Sequence, residues 1–224
     1  MPDNIDLYSS VHKGQRLVFF NISSEAGTID YTDEKAVENL YGRLEAFREH
    51  MALHAKLEEE FIHPLLSERV PGGARRLEED HRVMRQLLKD LMTHFENVKS
   101  KPMNFEKHNE LAFEFYRAWN RFMSFYFTHI NHEEEEIQPA LWKLCTNEEL
   151  ANTFKSIMAN QTPKELMNNL EMMLPAMTMN ERIMLLNQGR ATMPPEAFQA
   201  ALRVAEHTLK QDDWTALKSK LAIE

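Results

Sequence analysis

The chain has 224 residues, 43% of them hydrophobic and 27% charged, with 6 glycines and a formal net charge of −9. That length suits one large domain or a domain with an appendage, and the scarcity of glycine leans helical. The negative balance argues against nucleic acid or an anionic membrane surface as partner. A single cysteine, Cys145, excludes an intrachain disulfide and a zinc-type cysteine cluster. The opening MPDNIDLYSS lacks the basic-then-apolar pattern of a secretory signal. The longest apolar runs, such as LVFF at 17–20, fall far short of a membrane span, so the expected setting is soluble and cytoplasmic.

Residues 4–25 carry Leu7, Val11, Val18 and Ile22 near the helical period, which predicts a first helix ending before Gly27. Thr32-Asp33 caps a second, reaching about Ser67, with an inner stripe of Leu40, Leu44, Phe47, Met51, His54, Glu58, Ile62 and Leu65. Val70-Pro71-Gly72-Gly73 breaks the chain. A third helix over about 74–98 places Leu77, His81, Met84, Leu88 and Leu91 inside. After a break at Ser100-Lys101-Pro102, Asn104 caps a fourth helix reaching about Leu144. Its inner side carries Phe115, Trp119, Phe122, Tyr126, His129, Glu133, Ile137 and Leu141. Four such helices with short links predict an all-α, up-and-down four-helix bundle over 1–145.

Residues 146–224 read as a C-terminal extension of four or five short helices. Thr146…Glu149 and Thr178…Glu181 have the capping-box pattern, and Thr162-Pro163 is a cap followed by proline at the first helical position. Pro175 separates two helices, Gly189 ends another, and Pro194-Pro195 opens the next. The extension is rich in methionine, from Met158 to Met193. Methionine there serves as adaptable core filler, or as a surface for a protein partner or self-association.

The chemistry lies in an internal repeat. HAKLEEEFIHPLL from His54 and HINHEEEEIQPAL from His129 share His, Glu, Ile, Pro and Leu at offsets 0, 4, 8, 10 and 12. Residues four apart share a helix face, with Cβ atoms about 5–6 Å apart. His54, Glu58, His129 and Glu133 therefore sit on inward stripes of two helices that run the same way in an up-and-down bundle. Glu135 and Glu136 read as a solvated face. Glu133 does not, because an ionised carboxylate in a core costs several kcal/mol unless paired or metal-bound. The other two helices each offer one well-phased histidine, His81 and His12. Four imidazoles and two carboxylates favour iron, with manganese or zinc as alternatives. If both glutamates bridge two metals, coordination positions stay open, as chemistry or sensing of dioxygen, peroxide or nitric oxide requires. Of the remaining histidines, His50 reads as surface or a neighbour of the ligands, and His132 as reaching the rim of the cluster. His63 sits beside Pro64 where the second helix ends; His94, His108 and His207 read as surface. Glu59, which neighbours the bridge in poorer phase, is a candidate additional ligand.

With these residues in place, the sequence resembles the hemerythrin-like (HHE cation-binding) family. The carrying segments are His12 in HKGQR, His54 and Glu58 in HAKLEEEFIHPLL, His81 in EEDHRVMRQLL, and His129 with Glu133 in HINHEEEEIQPAL. The resemblance implies a bundle holding a non-heme di-iron centre. His12 and His54 would bind one iron, His81 and His129 the other, and Glu58 and Glu133 would bridge. Oxygen-carrying members have a second histidine one turn after the third-helix ligand, where this chain has Arg85, and an aspartate where it has Glu134. That argues against reversible oxygen carriage. The pattern looks closer to the hemerythrin domains of iron- and oxygen-sensing ubiquitin ligases. MLPAMTMNERIMLL, after KELMNNLE, looks like the helical extension of the plant BRUTUS-type proteins. No RING, F-box or zinc-finger segment accompanies it. The expectation is a di-iron protein that binds or senses iron or a small ligand such as O2, NO or peroxide, rather than a catalyst. The alternative is a di-iron enzyme acting on peroxide, nitric oxide or dioxygen. A helical interaction module whose His/Glu pairs are accidental is the third reading.

Overall fold

The structure is a computed structural model that describes residues 5–99 and 105–223. The expected break at Ser100-Lys101-Pro102 and the Asn104 cap lie outside the described residues. Within them the regular structure is helical and no strand occurs. The elements are α1 (Ser9–Ala26), α2 (Glu34–Leu57), a π turn (Glu58–Ile62), α3 (His63–Arg69), α4 (Arg75–Lys99) and α5 (Phe105–His132). A second π turn (Glu133–Ile137) leads into α6 (Gln138–Leu144). Then come α7 (Asn147–Ala159), α8 (Pro163–Ala176), α9 (Met179–Thr192), α10 (Pro195–Thr208) and α11 (Gln211–Leu221). Two compact units result. The first comprises Val18–Thr153 with the segment ending at Ile5, and the second comprises Asp6–Leu17 with Phe154–Glu224.

The first unit is a helical bundle. Asp33 caps α2 by accepting from the Lys35 and Ala36 amides, satisfying two of the amides that a helix start leaves without partners. The helices run antiparallel in turn. Phe19 stacks on Tyr126 and Ser23 bonds Asn120, so the pairing of α1 with α5 descends one chain as it ascends the other. Phe95 of α4 meets Phe115 of α5, and Lys99 lies over the ring of Tyr41 in α2. The core is aromatic around Phe19, whose ring sits 4.7 Å from Phe47 edge-on and 5.1 Å from Trp119. Such pairs contribute about 0.5–1.5 kcal/mol each beyond their buried area.

The stripe expected for α1 is corrected by one position. Val11 and Val18 are only half-buried, while Tyr8, His12, Gln15, Phe19, Ile22 and Ala26 are buried at helical spacing. Reading aliphatics alone misplaced the inward face, because its upper half is polar. The helix also starts later than expected, at Ser9, with Asp6 accepting from the Tyr8 and Ser9 amides.

Neither repeat segment is a simple α-helix. Proline has no N–H, and its ring clashes with the carbonyl four residues back. Pro64 and Pro139 therefore cannot close an α turn onto Glu60 and Glu135. The chain widens instead: the His63 amide donates to the Glu58 carbonyl and the Gln138 amide to the Glu133 carbonyl, each five residues back. A π turn holds one extra residue, so the buried stripe slips by one position. Leu66 is buried rather than the expected Leu65, and two consecutive residues turn inward in each copy, Ile62 with His63 and Ile137 with Gln138.

In the second unit, Thr162 with Glu165 and Thr178 with Glu181 form reciprocal capping boxes. Pro175 lies within the last turns of α8 rather than between helices, and Gly189 is buried inside α9, which continues to Thr192. The core gathers Leu174, Phe198, Leu202, Trp214 and Leu217, with Met167, Met173, Met179 and Met193 packed against it. Those methionines act as filler. Buried Arg182 donates from Nε to the Leu174 carbonyl at 2.9 Å and from a terminal nitrogen to Asp213 at 3.1 Å, a second donor for a carbonyl at the end of α8 that also accepts the Met177 amide. Within the same unit, Lys13 pairs with Glu181 at 2.7 Å, and a Cβ at Gly14 would stand 3.0 Å from the Met172 carbonyl oxygen. A larger residue there would push the two helices apart by a few tenths of an ångström. Among the described residues, no helix is long and apolar enough to cross a membrane.

Candidate metal centre

Five of the six expected ligands belong to the first unit, and the structure brings them together. His54 lies in the last turn of α2 and His129 in the last turn of α5, Glu58 and Glu133 open the π turns that follow them, and His81 lies in the second turn of α4. Donor atoms of Glu58, His81, His129 and Glu133 all lie within 4.8 Å of one another, and those of His54, Glu58 and Glu133 do likewise. Glu58 and Glu133 are common to both groups. Glu58 shows why: its Oε1 faces His54 Nε2 at 3.2 Å and its Oε2 faces His81 Nε2 at 3.3 Å. One carboxylate thus spans two sets of imidazoles. On the other helix, Glu133 Oε1 faces His129 Nε2 at 3.2 Å. These separations exceed the roughly 2.7–2.9 Å of a charge-assisted hydrogen bond. His12, the sixth expected ligand, belongs to the second unit and is buried on the inward stripe of α1.

The site is expensive as bare protein. Glu58 is 3% exposed and Glu133 fully buried, so two carboxylates share one enclosed space. Each would cost several kcal/mol if ionised without compensation. A cation pair removes that cost, and the set of imidazole nitrogens and carboxylate oxygens suits first-row metals. In the metal-free chain protons do part of this work. Burial opposes charge on His129, but Glu133, with Glu58 and Asp80 behind it, outweighs burial and lifts the imidazole to about 9. His81 is also raised against its burial, chiefly by Glu58.

A second ring of carboxylates holds the imidazoles. Glu59 Oε1 lies 2.9 Å from His81 Nδ1, and Asp80 Oδ2 lies 3.3 Å from His129 Nδ1. An ionised carboxylate only accepts, so the Nδ1 proton points outward, which leaves Nε2 as the nitrogen that would bind a metal once its own proton is displaced. Burial works against the Glu59 carboxylate, but Arg85 and His81 hold it below its ordinary range. Arg85 donates to Glu59 at 2.7 Å. Sequence reasoning assigned none of these roles. Glu59 stood out only as an additional ligand in poorer phase, and Arg85 only as a missing histidine.

The other histidines divide. His132 belongs to neither donor group, and its Nδ1 lies 3.1 Å from Glu136 and 3.3 Å from Arg76. His50 is half-buried with its ring 6.2 Å from that of His54. His207 is exposed; His94 and His108 are half-buried rather than surface residues. His63 was placed by sequence only beside Pro64, with no role assigned. It is 3% exposed, with its ring 5.1 Å from that of His81. Burial, with the nearby His81 charge, pushes it down to about 4, so it stays neutral at pH 7.

An antiparallel helical bundle with paired His and Glu donors converging in its core defines a cation-binding domain. The chain belongs to the hemerythrin HHE cation-binding domain family, whose model matches residues 3–141. No curated protein and no solved structure matches the chain.

Proposed function

We propose that the protein is a non-heme di-iron protein that binds or senses iron, dioxygen or a related small molecule such as nitric oxide or peroxide. The observation that carries this is Glu58, a buried carboxylate whose two oxygens face imidazoles from two different helices. In this reading His12 and His54 serve one iron, His81 and His129 the other, and Glu58 and Glu133 bridge; zinc or manganese would use the same donors. When bound, the iron pair would supply open coordination positions and a redox couple. The chain's own work is to neutralise that charge with Glu58 and Glu133, to aim two imidazoles through Glu59 and Asp80, and to exclude water with the aromatic core.

Sensing is favoured over carriage because Arg85 stands where oxygen carriers have a ligand and is engaged with Glu59. The BRUTUS-type resemblance of the extension points the same way, toward a cytoplasmic sensor whose C-terminal helices report to a protein partner or a second copy. Met184, 72% exposed, is available for such a contact. The account predicts that Glu58→Ala or Glu133→Ala loses at least one metal and lowers the thermal midpoint of the loaded protein, since bound metal stabilises the native state. Iron loading should change protease cutting across residues 154–224. Identical digestion patterns with and without iron would sink the sensing role.

A further inference from the structure

The two π turns act alike on two different residues. Each turns inward an isoleucine and the residue that follows it. In the second copy that residue is Gln138, and the chain satisfies it: its side-chain amide donates to the Ile5 carbonyl at 3.3 Å. In the first copy it is His63. Neither of its ring nitrogens has a hydrogen-bond partner among the described residues. Its ring is tilted 30° against His81, and His81 lies 4.9 Å from His129. A third imidazole therefore abuts the centre on the His81–His129 side. Its nitrogens fall outside the donors that lie within 4.8 Å of one another, which separates it from the ligand set. A neutral imidazole offers one donor and one acceptor, and buried polar groups are nearly always bonded. What the chain does not supply, a small molecule in the centre can.

We propose that His63 hydrogen-bonds to the non-protein molecule held in the open position beside His81 and His129. That molecule is water at rest, and a small anion or diatomic ligand when one displaces it. The inference rests on the two-metal reading above. It makes His63 a ligand-selecting residue: species that can accept or donate a hydrogen bond are favoured over apolar ones of the same size.

The test uses the iron-loaded, oxidised full chain, with azide as the probe. Iron per chain and azide Kd are measured for wild type, His63→Phe and His63→Gln. The expected result is unchanged iron in all three, azide binding weakened about tenfold in His63→Phe, the effect of one lost hydrogen bond, and substantial recovery in His63→Gln. Glutamine at this position copies Gln138, so that variant has the better prospect of folding. If phenylalanine lowers helicity, His63→Leu takes its place in the same comparison. Unchanged azide affinity in the apolar variant overturns the proposal, as does an iron-loaded wild type that binds no azide. Loss of iron from a folded His63→Phe also overturns it, by making His63 a metal ligand. A wild type that takes up no iron overturns the two-metal reading and this inference together, whereas failure in the variants alone leaves that reading standing.

Discussion

Glu133 and the residues around it hold opposing charges that only a filled centre balances well, and this gives the metal-free chain a particular pH profile. His129 binds its proton more tightly folded, at about 9, than unfolded, at about 6.5. Its stabilisation is complete below about pH 6.5 and lost as pH rises through about 9. His81 shifts in the same direction. His63 does the reverse: between about 6.5 and about 4 the unfolded chain takes up a proton that the folded chain resists, so stability falls as pH drops through that window. Chemical denaturation of the chelator-treated protein should give greatest stability near pH 6.5, with the acid limb less steep in His63→Phe. A metal-free profile that rises steadily from pH 6.5 to 9 would contradict this. Five of the six ligand candidates were legible because each falls on a predicted helical stripe; His12 was legible only as the one histidine of its helix. Glu59, Asp80 and Arg85 were not, because their roles depend on contacts that tertiary packing makes.

At the scale of elements, the repeat encodes a backbone feature as well as ligands. Periodicity found the helices, and every inward position it named in α4 and α5 is buried, but a period of 3.6 has no place for an extra residue, so the π turns went unread. The signal was present in Pro64 and Pro139, at the same offset in both copies. The inward face of α1 was misphased for a different reason: His12 and Gln15 lie on it, and hydrophobicity does not mark them. The π turn predicts an asymmetry between deletions. Removing Glu60, exposed in the first π turn, in a Pro64→Ala background lets that segment close to α geometry with its neighbours in place. Removing exposed Gln86 from α4 instead rotates Leu88, Leu91 and Phe95 off the core, which costs several kcal/mol. The Glu60 deletion should therefore keep a cooperative thermal transition well above that of the Gln86 deletion. Equal losses would mean that the wide turn is not the insertion it resembles.

For the whole molecule, composition and charge argue against classes of partner and name none. The helical class and the helical extension followed from periodicity and from Thr-x-x-Glu boxes whose bonds are local. The two compact units could not be read this way, because α1 contributes residues to both. Everything proposed for the molecule depends on what the buried His/Glu cluster holds. The most direct measurement is metal content per chain with an absorption spectrum, on protein from iron-supplemented cells. The account predicts about two irons per chain, as two donor groups sharing Glu58 and Glu133 require, with charge-transfer bands of a bridged ferric pair. One zinc, or no metal even after anaerobic iron reconstitution, would contradict it.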